Sequence, residues 1–262
     1  MSDENVVTYE REGDLALIGL NRPDKRNAMS PELREQLLDA VLRAGDEAKC
    51  AILFGHGGNF CAGLDLARAA QTWNKDGGMR RLPFRYNRET ELEAIARGRI
   101  PVIAALHGAT LGGGFEMAAA AHIRVADETT FFGLPEGARG IFVGGGGSVR
   151  IARLIGFARM QDMMLTGRVL KPDEAERYGA VQYVVPQGES LAKARELAAA
   201  ICKNAPLTNF AVTNSLPRLQ DLSYDDGIYF ERMVAEYTRS PESIDRVNQF
   251  LDKSAPRMSM PD

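Results

Sequence analysis

Short apolar runs alternate with amphipathic stretches along the first two thirds of the chain, and a helical period takes over towards the C-terminus. Val6–Tyr9 and Leu15–Leu20 are β-prone segments separated by REGD, whose Gly13-Asp14 pair suits a hairpin turn, so a sheet begins at the N-terminus. In NRPDKRNAMSPELREQLLDAVLRA, Ser30 is a good N-cap and Pro31 suits the first helical position. Leu33, Leu37, Leu38, Val41 and Leu42 then recur at helical spacing and predict an amphipathic helix. CAILFGHG follows as a short buried strand, and GGNFCAGLDL as a glycine-punctuated loop entering another helix.

From about Ala67 to Arg99 the pattern is polar and weakly periodic, with Trp73, Met79, Phe84 and Tyr86 scattered among arginines, which predicts a mobile, partly helical segment. IPVIAALHG reads as a strand, since proline is tolerated at a strand start. It delivers the chain to LGGGFEMAAAA, a tight glycine turn opening into a helix. HIRVA and TTFFG are further short strands, followed by a loop, a four-glycine turn and a helix in LPEGARGIFVGGGGSVRIARLIG. The stretch MQDMMLTGRVLKPDEAERYGAVQYVVP reads helix, short strand, helix from near Pro172, strand, and the remainder reads as helical. No solenoid repeat is present. The expected organisation is an α/β body over residues 1–200 and a helical region over 201–262.

Composition narrows the class. With 45% hydrophobic and 26% charged residues the chain has the balance of a soluble globular protein with little long disorder. A net charge of −3 without a basic cluster argues against general nucleic-acid binding. Cys50, Cys61 and Cys202 are odd in number and widely spaced, which suggests neither a disulfide framework nor a zinc site and fits a reducing cytoplasm. MSDENVV lacks a basic and an apolar leader region, and no segment reaches the about 18 apolar residues of a membrane span. The expectation is a cytoplasmic protein.

Several chemistries are unsupported. No glycine run ends in GK[ST], none has the GxGxxG context, and no GxSxG elbow occurs. His56, His107 and His122 have no metal-ligand spacing and read as structural residues. What remains is Glu116, behind the triple glycine, and Glu136, twenty positions on. Two carboxyl groups brought together can divide the work of base and acid, because each raises the other's proton affinity and burial raises it further. The alternatives are a helix first-turn residue stabilised by the dipole and a loop salt bridge, and spacing alone does not separate them. FCAGLD is a candidate partner for the triple glycine. Backbone N–H groups from the two loops aimed at one carbonyl oxygen would form an oxyanion hole, each donor worth roughly 3 kcal/mol in the transition state.

The pieces LNRPDKRNAM, FCAGLD, PVIAALHGATLGGGFEMAAAAHIRVA, FFGLPEGARGI and LTGRVLKPDEAERYGAV stand in the order and spacing of the crotonase, or enoyl-CoA hydratase/isomerase, family, which the chain resembles over most of residues 6–190. The resemblance implies a spiral of ββα units with a C-terminal helical region, acyl-CoA as substrate, and a homotrimer or a hexamer formed by two trimers. It also implies no metal or redox cofactor, coenzyme A being part of the substrate, and no nucleic-acid or membrane partner. Carried over by position, the oxyanion donors fall on the N–H groups of Leu64 and Gly113. The Ala62 carbonyl would meet the adenine of CoA, Arg26, Ala28 and Asp65 belong to the CoA-binding segments, and Phe250 and Lys253 resemble tail residues that approach CoA from a neighbouring subunit.

Glu116 and Glu136 fall on the two catalytic glutamate positions of the hydratases, which hold the reacting water between them, whereas double-bond isomerases of the mitochondrial type generally retain only the second. Hydration of a 2-enoyl-CoA is therefore the leading expectation. An enoyl-CoA isomerase, an aromatic acyl-CoA hydratase-lyase and an inert acyl-CoA binding protein are the alternatives. Departures from the family pattern concern the substrate. Val143 replaces a usual proline before Gly144–Gly147, and Phe115 is bulkier than the small residue common there, which would narrow or reshape the pocket. Trp73, Phe84 and Tyr86 either line an acyl pocket or pack, and Tyr237 reads as a packing residue by default.

Overall fold

The structure, a computed structural model, describes residues 5–75, 90–252 and 254. Of the segment from Ala67 to Arg99, expected to be mobile and partly helical, the described parts are helical over Leu66–Lys75 and Glu91–Arg97, while residues 76–89, with Met79, Phe84 and Tyr86, and the side chain of Trp73 lie outside these residues.

β1 (Val7–Glu12) and β2 (Leu15–Leu20) form the expected antiparallel hairpin, with Gly13 at φ +61° in the turn. α1 (Pro31–Glu47) follows, and the Ser30 side chain accepts from the Leu33 N–H at 3.2 Å, the N-cap bond that the sequence predicts. β3 (Cys50–Gly55), α2 (Leu66–Lys75), α3 (Glu91–Arg97), β4 (Val102–Leu106), β5 (Ala109–Leu111) and α4 (Gly113–Ala120) come next. Then come β6 (Ile123–Asp127), β7 (Phe131–Gly133), α5 (Gly147–Ile155), α6 (Phe157–Thr166), β8 (Val169–Leu170), α7 (Pro172–Tyr178), β9 (Tyr183–Val185) and α8 (Ser190–Ile201). The recurring unit of long strand, short strand and helix, seen in β4-β5-α4 and β6-β7-α5, is the ββα unit that the family resemblance implies.

The long strands form one sheet in the order β1-β2-β3-β4-β6-β9, parallel from β2 onward. Parallel strands covered on both faces are apolar throughout, which is why CAILFG and VIAAL read as continuous runs rather than alternating ones. One face, with Ile18, Leu53, Ala104 and Leu106, packs in the main core with α1, α3, α4 and α5. The opposite face, with Leu17, Cys50, Ile52, Ile103, Ala105 and Val125, is covered by Ala194 and Ala198 of α8. The short strands form a second sheet, β5-β7-β8, whose β5 and β7 run parallel with Leu111 opposite Gly133. That second sheet positions the site.

The chain divides into two compact units, residues 1–202 and 203–262. The second contains α9 (Pro206–Leu219), α10 (Tyr224–Tyr237) and α11 (Pro241–Leu251), the latter two started by Ser223 and Ser240 side chains that accept from the Asp226 and Ser243 N–H groups. Tyr237, at the end of α10, is exposed rather than packed. Among the described residues no helix is long and apolar enough to cross a membrane.

Candidate active site

The triple glycine is a turn that only glycine fills comfortably. Gly112 sits at φ +51°, ψ −120° before the first residue of α4, and its N–H donates to the Gly133 carbonyl at 2.9 Å, joining β5 to β7. A Cβ added to Gly112 would lie 2.6 Å from Glu136 Oε1, so the glycine lets this carboxylate close over the helix N-terminus. Glu116 lies in the first turn of the same helix, its N–H donating to the Gly112 carbonyl at 2.9 Å. The structure thus brings together at one helix end two acids that the sequence separates by twenty residues.

Their environments differ. Glu116 Oε1 accepts the N–H groups of Gly145 at 2.8 Å and Gly147 at 2.9 Å, charge-assisted bonds that fix the carboxylate. This is the work of the four-glycine turn, with Gly146 at φ +86° between the two donors. Arg150 in α5 holds the loop from behind, donating to the Gly145 carbonyl and, at 2.7 Å, to Glu93 at the start of α3. Glu136 follows β7 and precedes a 3-10 turn at Gly137–Arg139. Its Oε2 is buried without a hydrogen-bond partner among the described residues. Burial holds its carboxyl above the ordinary carboxylate range and the charge of Glu116 adds to this, against the opposing pull of its own backbone N–H and of Arg139. A buried carboxyl with one unpartnered oxygen and raised proton affinity is suited to carrying a proton. The salt-bridge alternative for Glu136 finds no support among the described ion pairs, and Glu116 is tied to the glycine loop in addition to its helix-end position.

The two proposed donor loops also meet. A parallel backbone bridge pairs Met29 with Leu64: the Met29 N–H donates to Gly63 at 2.8 Å and the Asp65 N–H to Met29 at 3.1 Å. The ladder passes over the Leu64 N–H. A second bridge, Cys61 with Thr110, ties the same loop to β5. Gly63, at φ +91°, packs so closely that an added Cβ would lie 3.3 Å from Gly113 N, and one on Gly113 would lie 3.6 Å from Leu64 N. Gly113 is the first residue of α4, where the N–H has no acceptor within the helix. Leu64 itself is exposed.

Of the other sequence-derived positions, Arg26 is exposed at φ +50° and its carbonyl accepts the Ala62 N–H at 2.9 Å, which places Arg26 and Ala62 side by side with Ala28 two residues away. Asp65 pairs with Arg22 at 3.0 Å and caps the start of α2 through the Arg68 N–H at 3.2 Å. Phe250 is exposed on α11, in the second unit, and Lys253 lies outside the described residues. Phe115 does not narrow a pocket. It is fully buried against Phe132, ring centroids 5.0 Å apart, because it occupies the core side of α4 while Glu116 beside it turns to the glycine loop. Sequence reasoning missed Asn27. This residue is buried at φ +55°, accepts the Arg22 N–H at 2.8 Å, and donates to the carbonyls of His56 at 3.0 Å and Asn59 at 2.7 Å, which pins the Arg26–Ala28 segment to the loop after β3. Its one available signal was the asparagine tolerance of left-handed backbone.

The histidines have structural partners. His56 bonds to Thr8 at 2.8 Å and His107 to the Gly57 carbonyl at 2.9 Å. His122 accepts the Val102 N–H at 2.9 Å, and burial together with Arg124 pushes its pKa down to about 4. Among the described residues no cluster of His, Cys, Asp or Glu side chains is arranged to hold a metal ion.

Comparison with known proteins identifies the family. Residues 10–259 match the family model described as enoyl-CoA hydratase/isomerase. The chain is 34% identical over 253 residues to enoyl-CoA hydratase EchA19 of Mycobacterium tuberculosis, covering 94% of each chain. It is 31% identical over 254 residues to the short-chain-enoyl-CoA hydratase of Clostridium acetobutylicum, covering 95% of each. The crystal structure of an enoyl-CoA hydratase from Mycobacterium tuberculosis H37Rv superposes with a TM-score of 0.85 at 30% identity, covering 97% of this chain and 98% of that one. The chain therefore belongs to the enoyl-CoA hydratase/isomerase family of enzymes, the crotonases.

Proposed function

We propose that the protein is a 2-enoyl-CoA hydratase, adding water reversibly across the α,β double bond of an acyl-CoA thioester. The observation that carries this reading is the unequal pair of acids at the N-terminus of α4, Glu116 held by two backbone donors and Glu136 buried with a free oxygen. The thioester oxygen takes the N–H groups of Leu64 and Gly113, which become stronger partners as the oxygen gains enolate charge. Water sits between the carboxyl groups. Glu116 accepts a proton from it as its oxygen bonds to the β-carbon, the π electrons move onto the thioester oxygen, and Glu136 delivers its proton to the α-carbon as the enolate collapses. One water is consumed, and proton exchange with solvent resets the acids. The raised proton affinity of Glu136 supports its place as donor.

CoA would lie along the segments carrying Arg26, Ala28, Ala62 and Asp65, with Phe250 and Lys253 contributed by a neighbouring subunit of a homotrimer or hexamer. The exposed apolar side chains of α9–α11, such as Leu216, Met233 and Val247, are consistent with such an assembly. No metal or redox group has a part in this chemistry, and a cytoplasmic location fits it.

Incubation with short-chain 2-enoyl, 3-enoyl and aryl-enoyl thioesters, with products identified by mass, tests the reading. A gain of one water is expected from a 2-enoyl substrate; only migration of the double bond, or binding without turnover, would overturn it. Glu116→Gln and Glu136→Gln should each retain acyl-CoA binding and lose hydration by orders of magnitude.

A further inference from the structure

The cysteines take no part in the hydration chemistry, yet two of them meet. Cys50 opens β3 and points to the face covered by α8, in the row with Leu17, Ile52, Ile103 and Ala105. On α8, Ala194 and Ala198 pack against that row, and Cys202, four residues further along the same stripe, packs at its edge. Both residues converge on one carbonyl: Asp14 accepts the Cys50 N–H at 3.4 Å and the Cys202 thiol at 3.6 Å. The Cys50 thiol itself donates to the Ala51 carbonyl at 3.8 Å. Cys50 is fully buried and Cys202 half-buried, so one sulfur is open to a small solute and the other stands behind it.

We propose that Cys202 and Cys50 are an oxidation site, at which hydrogen peroxide converts Cys202 to a sulfenic acid that Cys50 resolves into an intramolecular disulfide. In the first step the Cys202 thiolate attacks peroxide, an S–O bond forms, the O–O bond breaks, and the departing hydroxide takes a proton to become water. In the second step Cys50 gives up its proton to the departing hydroxyl, its sulfur attacks Cys202, and the second water leaves as the S–S bond forms. Two thiols lose two electrons and one peroxide becomes two waters. The polarity follows from the surroundings. The neighbouring Cys50 and the Lys49 ammonium favour the Cys202 thiolate, against burial and the charge of Asp14, while Cys202 and burial push the Cys50 thiol up. Cys61 is separate, buried beside the Gly63 N–H with its thiol pushed up to about 12 by burial. The disulfide would fasten the end of α8, where the first compact unit ends, to the start of β3.

The test uses the full chain exposed to hydrogen peroxide, alkylated, digested and mapped by mass. The expected result is a linked pair of peptides carrying Cys50 and Cys202, a loss of two hydrogens from the protein, reversal by dithiothreitol, and Cys61 still free to alkylate after denaturation. Cys50→Ser should leave Cys202 as a sulfenic acid trapped by dimedone, and Cys202→Ser should abolish the linkage and leave Cys50 a free thiol. The proposal is overturned if peroxide that oxidises a free thiol peptide leaves both cysteines reduced, or if Cys202 oxidises while Cys50 stays free in the unsubstituted chain. Linkage between two chains in place of the internal bond would overturn it equally.

Discussion

Gly147→Ala isolates the role of the loop that holds Glu116. The glycine has no positive φ, so alanine fits its backbone, yet the new Cβ would lie 2.7 Å from Glu116 Cγ and 2.7 Å from Oε1, and 3.1 Å from Cδ. Glu116 must swing aside, stretching the bonds of 2.8 and 2.9 Å from Gly145 and Gly147. Each hydrogen bond to a charged group is worth about 1.5–3 kcal/mol, and a misplacement of about 1 Å at a reacting group costs roughly a hundredfold. We expect kcat for hydration of a short-chain 2-enoyl-CoA to fall about 10²-fold, near 2.7 kcal/mol, with little change in KM. The assay follows the loss of absorbance of the conjugated thioester. Gly144→Ala is the control, because its Cβ would meet nothing within 4 Å and its φ is not positive, and it should stay within about twofold of the unsubstituted protein. Wild-type turnover in a folded Gly147→Ala protein, or an equal loss in Gly144→Ala, would refute the reasoning.

Three other perturbations follow from the same structure. Glu136 binds its proton more tightly folded than unfolded, so it lowers stability as pH rises from the ordinary carboxylate pKa of about 4.3 through its elevated value. Glu136→Gln should therefore melt higher than the parent at neutral pH, with the advantage fading below about pH 4 in a pH series of thermal scans. Arg124, buried, donates to the carbonyls of Ala180 at 2.8 Å, Ala118 at 3.4 Å and Ala121 at 2.5 Å, so Arg124→Met should cost on the order of 3 kcal/mol in urea unfolding. An unchanged midpoint and slope would count against it. Asn27→Ala loses three hydrogen bonds in a left-handed backbone position and should raise KM for the acyl-CoA more than it lowers kcat; the reverse split would count against the proposed CoA-binding role of the Arg26–Ala28 segment.

The elements that sequence reveals are those with local causes. Ser30 and Pro31 start α1, Gly13 turns the first hairpin, and the apolar runs of β3 and β4 mark strands covered on both faces. The triple-glycine turn was legible for the same reason, since Gly112 needs a backbone that other residues resist. Glu116 and Glu136 stood out as candidate acid and base beside glycine-rich turns, and only family order and spacing favoured that reading over the structural one, because their separation of twenty residues says nothing about whether they meet. Arg150 and the Cys50–Cys202 contact were not legible at all, and Asn27 only through the tolerance of asparagine for left-handed backbone. Each depends on partners brought in by tertiary packing, Asn27 through bonds to residues about thirty positions away and Arg150 through Glu93 on another helix. Phe115 was misjudged because a residue's neighbour in sequence faces a different part of a helix.

The three-residue pairing of β5 with β7 sets a ruler between the two acids. Leu111 stands opposite Gly133, and Glu116 and Glu136 follow at fixed intervals from those two ends. β7 ends at Gly133 and Glu136 follows in a turn with helical backbone at φ −59°, ψ −44°, so one residue inserted between them would both displace and rotate the second carboxyl away from the end of α4. A change of length there would part the two acids, whereas one outside the interval measured by that pairing leaves their meeting intact.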